Sequence, residues 1–257
     1  MKRKLVGSAL AVLFAGAMAL VCTGTANAVA DGQAATPGMY PFAVKLTMTN
    51  IPKPDGTTYN SGCSGALIAP EWIITAGHCF HDVNRVPVSG PPQYQTTAAL
   101  GTVNVTNDPG EVRAIVDVAQ SPVNDVALAK LSAPVYDIAP LLVDPATPAV
   151  GQNLELAGWG ATSDVNAAPS NQLYLGGFAV DSIATNTIGA QGVSPSPETS
   201  ACLYDSGAPY FVPAGHKTGL LVSVENNGPD CPHTASETTA RVDVLATWIF
   251  QTETTTN

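Results

Sequence analysis

Short runs of apolar, β-forming residues, separated by turn-forming residues, make up most of the chain after residue 28. The runs that predict strands are Phe42–Met48, Gly65–Ala69, Trp72–Thr75, Tyr94–Val105, Val112–Ala119, Val126–Leu131, Leu154–Ala157, Leu173–Asp181 and Gly219–Glu225. Many short strands at this spacing are typical of β-sandwiches and β-barrels. The pattern therefore predicts an all-β fold.

A helical pattern of apolar residues occurs near the end of the chain, at Val244, Leu245, Trp248 and Ile249. This pattern predicts a short terminal helix over Val242–Phe250, followed by a frayed Thr-rich tail. Turn-forming residues predict exposed loops at Val86–Gln93 and Gly189–Thr199, and a Pro-rich connection between two halves at Ala133–Pro148.

The first 28 residues have the pattern of a secretory signal peptide. A positive start precedes the apolar run Leu5–Leu20, and Ala26 and Ala28 form an A-x-A cleavage pattern. An uncleaved membrane anchor is one alternative, and a lipoprotein attached through Cys22 is another. We expect cleavage after Ala28 and a secreted, extracellular protein without a membrane segment.

The chain is acidic, with a net charge of −10, which falls to about −13 without Lys2, Arg3 and Lys4. An acidic protein is poorly suited to nucleic acid or to an anionic membrane surface. We therefore expect neither as a partner.

Four cysteines remain after residue 28, at Cys63, Cys79, Cys202 and Cys231. Three pairings are possible, and the spacing favours the local disulfides Cys63–Cys79 and Cys202–Cys231. A metal site would need His81 or His233 as well, but neither has the usual zinc-ligand spacing. We expect no metal and no other cofactor.

Three segments carry candidate chemistry. A β-run ends in Ala76-Gly77-His78-Cys79, Asp125 opens the apolar run Val126–Leu131, and Ser206 lies in Cys202-Leu203-Tyr204-Asp205-Ser206-Gly207-Ala208-Pro209. Each segment alone is common, since a single His, an Asn-Asp turn and an Asp-Ser-Gly loop occur in many proteins. In the order His, Asp, Ser, they form a much more specific pattern.

This pattern resembles the trypsin-like (chymotrypsin-fold) serine proteases, in a secreted, bacterial-type form. The resemblance extends to Gly158-Trp159-Gly160, to the helix with Trp248 and to the four cysteines, and it covers nearly all of residues 29–250. It implies two six-stranded antiparallel β-barrels with a short C-terminal α-helix. The first barrel would span residues 29–140 and the second residues 141–257, with the site in the cleft between them.

The resemblance also implies a role for each residue of a catalytic triad. Ser206 would be the nucleophile, His78 the general base and acid, and Asp125 the residue that orients the imidazole. Backbone N–H groups of Tyr204 and Ser206 would form the oxyanion hole, although the family usually has glycine where Tyr204 stands. The G-x-S-x-G signature of α/β-hydrolases is absent.

Two further features follow from the same resemblance. A new amino terminus at Val29, created by export, would pair with Asp205. The substrate pocket would include Ser200, Ser223 and Glu225, with Glu237 on the opposite wall. Because Ser200 is neutral, we expect a neutral or mixed side-chain preference.

The expected function is a secreted serine endopeptidase, monomeric, with protein or peptide substrates and with protein inhibitors as further partners. One alternative is a catalytically weak or inactive homologue that acts as a binding module, which Tyr204 favours. The other is an esterase on the same fold, which a triad alone does not distinguish from a peptidase.

Overall fold

The computed structural model describes residues 29–255, so the predicted signal peptide lies outside the described residues. The strands are β1 (Gln33–Ala34), β2 (Ala43–Pro52), β3 (Thr58–Ala69), β4 (Trp72–Ala76), β5 (Gln95–Leu100), β6 (Glu111–Gln120), β7 (Val126–Leu131), β8 (Leu142–Val143), β9 (Asn153–Gly158), β10 (Tyr174–Ile183), β11 (Thr187–Ser194), β12 (Pro209–Pro213), β13 (Gly219–Asn227) and β14 (Glu237–Arg241). Single 3₁₀ turns at Gly77–Cys79 and Asp243–Leu245 and the helix α1 (Ala246–Thr255) complete the regular structure of this part of the chain.

Two closed, six-stranded antiparallel barrels make up the described residues, as the family resemblance implied. The first has the strand order β2-β3-β4-β7-β6-β5, and the second closes in the order β9-β10-β11-β14-β13-β12 through the pairing of β9 with β10. β1 extends the second sheet beside β10, and β8 runs parallel to β13. Closing a sheet into a barrel removes its exposed edges, which explains how so many short strands form stable units.

Aromatic residues pack where the barrels meet. The Phe211 ring on β12 lies edge-on to Tyr40 at 4.8 Å and to Phe42 at 5.2 Å between ring centroids. All three side chains are buried, and edge-to-face pairs of this kind add to the free energy of burial. The cluster therefore joins the segment just before β2 to β12 of the second barrel.

Two sequence predictions of local structure were wrong, and the predicted terminal helix is present with different bounds. The stretch Gly189–Thr199, predicted to be a loop, contributes most of β11, which extends to Ser194. The terminal helix was predicted over Val242–Phe250, but it begins at Ala246, after a 3₁₀ turn. Its Thr-rich end, predicted to fray, is helical to Thr255.

None of the helices among residues 29–255 has the length and apolar composition needed to span a bilayer.

Candidate active site

His78 and Asp125 meet because the strands that carry them are neighbours. Ala76 at the end of β4 pairs with Val126 at the start of β7, so the residues just beyond these ends lie side by side. The Nδ1 atom of His78 lies 2.6 Å from Asp125 Oδ2, and the His78 backbone N–H donates to Oδ1 at 2.7 Å. One carboxylate thus fixes both the ring and the backbone of His78.

The Asp125 carboxylate remains anionic despite partial burial. Burial raises its pKa, but the hydrogen bonds from His78 and the His78 charge outweigh that effect and hold the pKa below its usual value. Gly77 allows this close packing, because a Cβ there would lie 2.7 Å from Asp125 Oδ1. The pair is therefore suited to stabilising a positively charged imidazole.

Ser206 lies in the loop between β11 and β12, opposite His78. Both residues line one cavity of about 260 Å³. The loop is held against the first barrel by a hydrogen bond from the Ser64 N–H to the Ser206 carbonyl, at 2.8 Å. The structure thus places the three predicted triad residues at the cleft between the barrels.

Tyr204 has the backbone conformation of a glycine. Its φ is 77°, in the left-handed region that residues with a Cβ rarely adopt. Its N–H and that of Ser206 form no hydrogen bond with any residue the structure describes, whereas its carbonyl accepts a hydrogen bond from Ser64 Oγ at 3.2 Å. The bulky side chain therefore does not prevent the backbone conformation for which the family uses glycine.

Asp205 is fully buried and contacts the start of the described chain. Its carboxylate accepts N–H donors from Gly160 at 2.8 Å and from Cys202 at 3.0 Å, and the Val29 N–H is a third donor. Burial raises the pKa of Asp205 to about 7, and the three donors oppose this shift. The residue also explains the Gly-Trp-Gly motif, because a Cβ at Gly158 would lie 2.0 Å from Asp205 Oδ1.

A second cavity, of about 120 Å³, opens beside Ser206. Glu225 and Glu237 line it, as the sequence suggested, but Ser200 and Ser223 are not among its lining residues. The Ser200 hydroxyl accepts the His233 N–H at 3.2 Å, and the Ser223 hydroxyl accepts the Thr239 O–H at 2.8 Å. Both hydroxyl groups are therefore bonded to neighbouring residues rather than exposed to the cavity.

Both predicted disulfides are present, Cys63–Cys79 and Cys202–Cys231. The first ties β3 to the turn that carries His78. The second ties the segment just before Ser206 to the segment that leads into β14. The disulfides therefore brace the two sides of the site.

Ser64 is a site residue that the sequence did not reveal. It is fully buried on β3, and it bonds to the carbonyl groups of Tyr204 and Ser206 and to the Trp159 N–H. These three partners are separated from it by 95 residues or more, so no local motif marks it. Among its neighbours in the sequence, only Cys63, a predicted disulfide residue, indicated that this segment lies near the site.

Known proteins are similar to this chain in sequence. The family model described as Trypsin matches residues 29–249. Granzyme M of Rattus norvegicus is 25% identical over 79% of this chain and 81% of its own length. Serine protease SSP1 of Scolopendra subspinipes is 30% identical over 56% of this chain, and the matched region spans 52% of that protein.

A solved structure gives the same fold. Neuropsin, a serine protease expressed in the limbic system of mouse brain, superimposes with a TM-score of 0.67, covering 87% of this chain and 99% of that one, at 20% identity. That likeness supports the two-barrel fold, and the family model covers most of the chain. The chain belongs to the trypsin family of serine proteases.

Proposed function

We propose that this protein is a secreted serine endopeptidase that hydrolyses peptide bonds through an acyl-enzyme formed at Ser206. The observation that carries the proposal is the close pair of His78 Nδ1 and Asp125 Oδ2, at 2.6 Å, in the cleft that Ser206 also lines. Membership of the trypsin family makes peptides or proteins the expected substrates.

The reaction uses each of these groups in turn. Ser206 Oγ attacks the peptide carbonyl while His78 takes its proton, and the imidazolium then protonates the leaving amine. Water attacks the resulting ester with His78 again as base, which releases the acid and regenerates Ser206. Asp125 stabilises the imidazolium in both halves, consistent with its lowered pKa.

The N–H groups of Tyr204 and Ser206 are the proposed oxyanion donors. Both are free of hydrogen bonds to the described residues, and Tyr204 has the positive φ that glycine usually supplies. A preorganised donor of this type is worth about 10²–10³ in rate. These observations favour a working oxyanion hole over an inactive homologue.

The amino-terminal pair remains part of the proposal. Val29 is fully buried beside Asp205, so an ammonium at Val29 would meet a carboxylate that has no other charged partner among its hydrogen bonds in the described chain. Export with cleavage after Ala28 would create this terminus. The protein would act outside the cell as a monomer, open to protein inhibitors that occupy the same cleft.

A fluorophosphonate probe tests the function directly, because it reacts only with an activated serine. Intact-mass analysis of protein starting at Val29 should show one added probe, and neither Ser206→Ala nor His78→Ala should react. Cleavage of peptides as well as esters would then separate a peptidase from an esterase. A folded wild type that stays unlabelled would contradict the proposal and favour the binding module.

A further inference from the structure

A groove on the first barrel continues the cavity that holds His78 and Ser206. That cavity is also lined by Tyr59 and Arg85. The same two residues line a neighbouring groove of about 480 Å³. The other residues that line this groove are Pro52, Lys53, Pro54, Val83 and Asn84. This groove, the cation groove, therefore shares a wall with the catalytic cleft.

Two cations lie against one aromatic ring in the cation groove. The Lys53 ammonium lies 5.4 Å and the Arg85 guanidinium 5.8 Å from the centroid of the Tyr59 ring. Arg85 Nη1 also donates to the Tyr59 hydroxyl and lies 3.5 Å from His81 Nε2. The ion pairs of residues 29–255 include neither cation. The ring thus holds two positive charges at the groove without a carboxylate that neutralises them.

Two carboxylates close by in the sequence are engaged in their own turns. Asp55 Oδ1 accepts the N–H and the hydroxyl of Thr57, and Asp82 Oδ1 accepts the backbone N–H groups two and four residues later. The Thr57 hydrogen bonds, and to a smaller extent the Lys53 charge, hold the pKa of Asp55 below its usual value. Neither carboxylate lines the groove, so the charged side chains that do are both positive.

Arg85 has a strained backbone conformation in the turn that carries it to the groove. Its φ is 68°, in the left-handed region, and its N–H donates to the Asp82 carbonyl at 3.0 Å. Glycine or asparagine would adopt this conformation at a lower cost. An arginine in such a position indicates a role for its side chain, because the turn alone favours a different residue.

We propose that the cation groove binds an acidic side chain, aspartate or glutamate, that follows the scissile bond of the substrate. The inference rests on the proposed function for the position of that bond. His78 must reach the leaving amine, and of the two cavities beside Ser206 only the one that continues into the groove is lined by His78. The substrate segment after the scissile bond therefore runs towards Arg85 and Lys53.

The charge of the whole chain makes this preference selective. The chain has 20 Asp and Glu against 10 Lys and Arg, so an acidic peptide is repelled by most of its surface. The cation groove offers such a peptide two exposed cations next to the reacting bond. A guanidinium presents a fork of donors that matches a carboxylate, and the ammonium adds a second charge.

Peptides of one neutral sequence, with a single Glu at successive positions and a Gln counterpart for each, test the groove. Calorimetry of their binding to Ser206→Ala does not depend on the reaction, and cleavage by the wild type locates the scissile bond. At a position after that bond, the Glu peptide should bind about 5-fold more tightly than its Gln counterpart, as expected for exposed ion pairs. Added salt should reduce this ratio, because it screens exposed charges.

Substitutions of Arg85 identify the group that recognises the carboxylate. Arg85→Gly should reduce the ratio of Glu to Gln affinity to about 2-fold or less without lowering the urea midpoint of unfolding, since glycine adopts positive φ readily. Arg85→Glu should reverse the preference, so that the Gln peptide binds more tightly. The matched control is Lys217→Ala, which removes an exposed cation that lines neither the groove nor the cleft and should leave the ratio unchanged.

Equal affinity for Glu and Gln at every position, a Glu preference confined to positions before the scissile bond, or an unchanged ratio in Arg85→Gly would each overturn the inference. If Arg85→Gly does not fold, the reversal in Arg85→Glu still decides. Wild type that cleaves peptides without a Glu preference would keep the peptidase and remove the anion site. A Glu preference in Ser206→Ala, with a wild type that never reacts with fluorophosphonate, would keep the anion site and remove the peptidase.

Discussion

Ser64 connects three parts of the site that are far apart in the sequence. Its Oγ accepts the Trp159 N–H at 2.9 Å and donates to the Tyr204 carbonyl, while its N–H donates to the Ser206 carbonyl. The two hydrogen bonds to carbonyl groups hold the loop on both sides of Asp205. They are placed to hold Tyr204 in a left-handed conformation that otherwise costs about 1–2 kcal/mol for a residue with a Cβ.

Ser64→Ala should therefore slow fluorophosphonate labelling of Ser206 by about 10-fold. This is less than the effect of losing an oxyanion donor completely, because the Tyr204 N–H would be displaced only in part. In a Tyr204→Gly background the same substitution should cost about 3-fold or less, since glycine adopts positive φ readily. Labelling rates of the four proteins form a double-mutant cycle, and urea unfolding controls for overall stability. If Ser64→Ala lowers the labelling rate by the same factor with Tyr204 and with glycine at that position, Ser64 does not act through Tyr204.

Single residues show which parts of the site could be predicted from the sequence and which could not. His78, Asp125 and Ser206 could be predicted because each lies in a recognisable local segment, and the structure brings them to one cleft. The φ of Tyr204 and the Ser64 contacts that join the two barrels depend on residues 95 or more positions apart in the chain. Only the folded chain reveals contacts of that kind.

At the scale of elements, the loop that carries Ser206 is shaped by the strands against which it packs. Gly207 has a φ of 87°, and a Cβ there would lie 2.1 Å from Thr75 Oγ1 and 2.3 Å from the Ser64 carbonyl oxygen. The loop from the second barrel therefore lies directly on β3 and β4 of the first. Glycine is needed both for the conformation and for the space.

Gly207→Ala and Gly215→Ala separate these two requirements. Gly215 has a φ of 88°, and a Cβ added there would meet nothing within 4 Å, so Gly215→Ala should lose only about 1–2 kcal/mol of unfolding free energy. Gly207→Ala should lose about 1–3 kcal/mol more, because backbone atoms must move, and it alone should slow labelling. Urea unfolding of both variants measures the difference; equal losses would contradict the packing argument.

Two of the strands that the sequence did not predict, β11 and β14, have few large apolar residues. β14 reads Glu-Thr-Thr-Ala-Arg, and its Glu237, Thr239 and Arg241 are buried polar residues. β11 contains Gly192, where a Cβ would lie 1.9 Å from the Thr199 carbonyl oxygen, so the backbone comes very close to the next segment. Periodicity detects strands that bury apolar side chains, and most of the residues that these two strands bury are polar or small.

At the scale of the whole molecule, the start of the described chain is built into the second barrel. Ala30 accepts a hydrogen bond from the Ser200 N–H at 3.1 Å, and β1 pairs with β10. Val29 is completely buried, although it lies at the edge of the described residues, and its N–H points at Asp205. Resemblance suggested this pair, and only the three-dimensional packing shows how deeply its carboxylate is buried.

The charge at Val29 should decide how stability depends on pH. In a chain with one extra residue before Val29, Asp205 has only N–H donors, and its pKa is raised to about 7. The folded state then binds more protons than the unfolded state between about pH 4 and pH 7, so stability falls as pH rises through that range. In a chain that starts at Val29, the ammonium favours the charged form of the Asp205 carboxylate. Unfolding free energy is then lost only above about pH 8, where the amine deprotonates.

Unfolding free energies of the two chains, measured by urea between pH 5 and pH 9, should therefore diverge most between about pH 7 and pH 8, by on the order of a few kcal/mol. Asp205→Asn in both chains is the matched control, because it removes the titrating group and should bring the two pH profiles together. Parallel profiles for the unsubstituted chains would mean that the Val29 ammonium does not reach Asp205. The fluorophosphonate rate should follow the same profile, since the residue that pairs with the terminus immediately precedes Ser206.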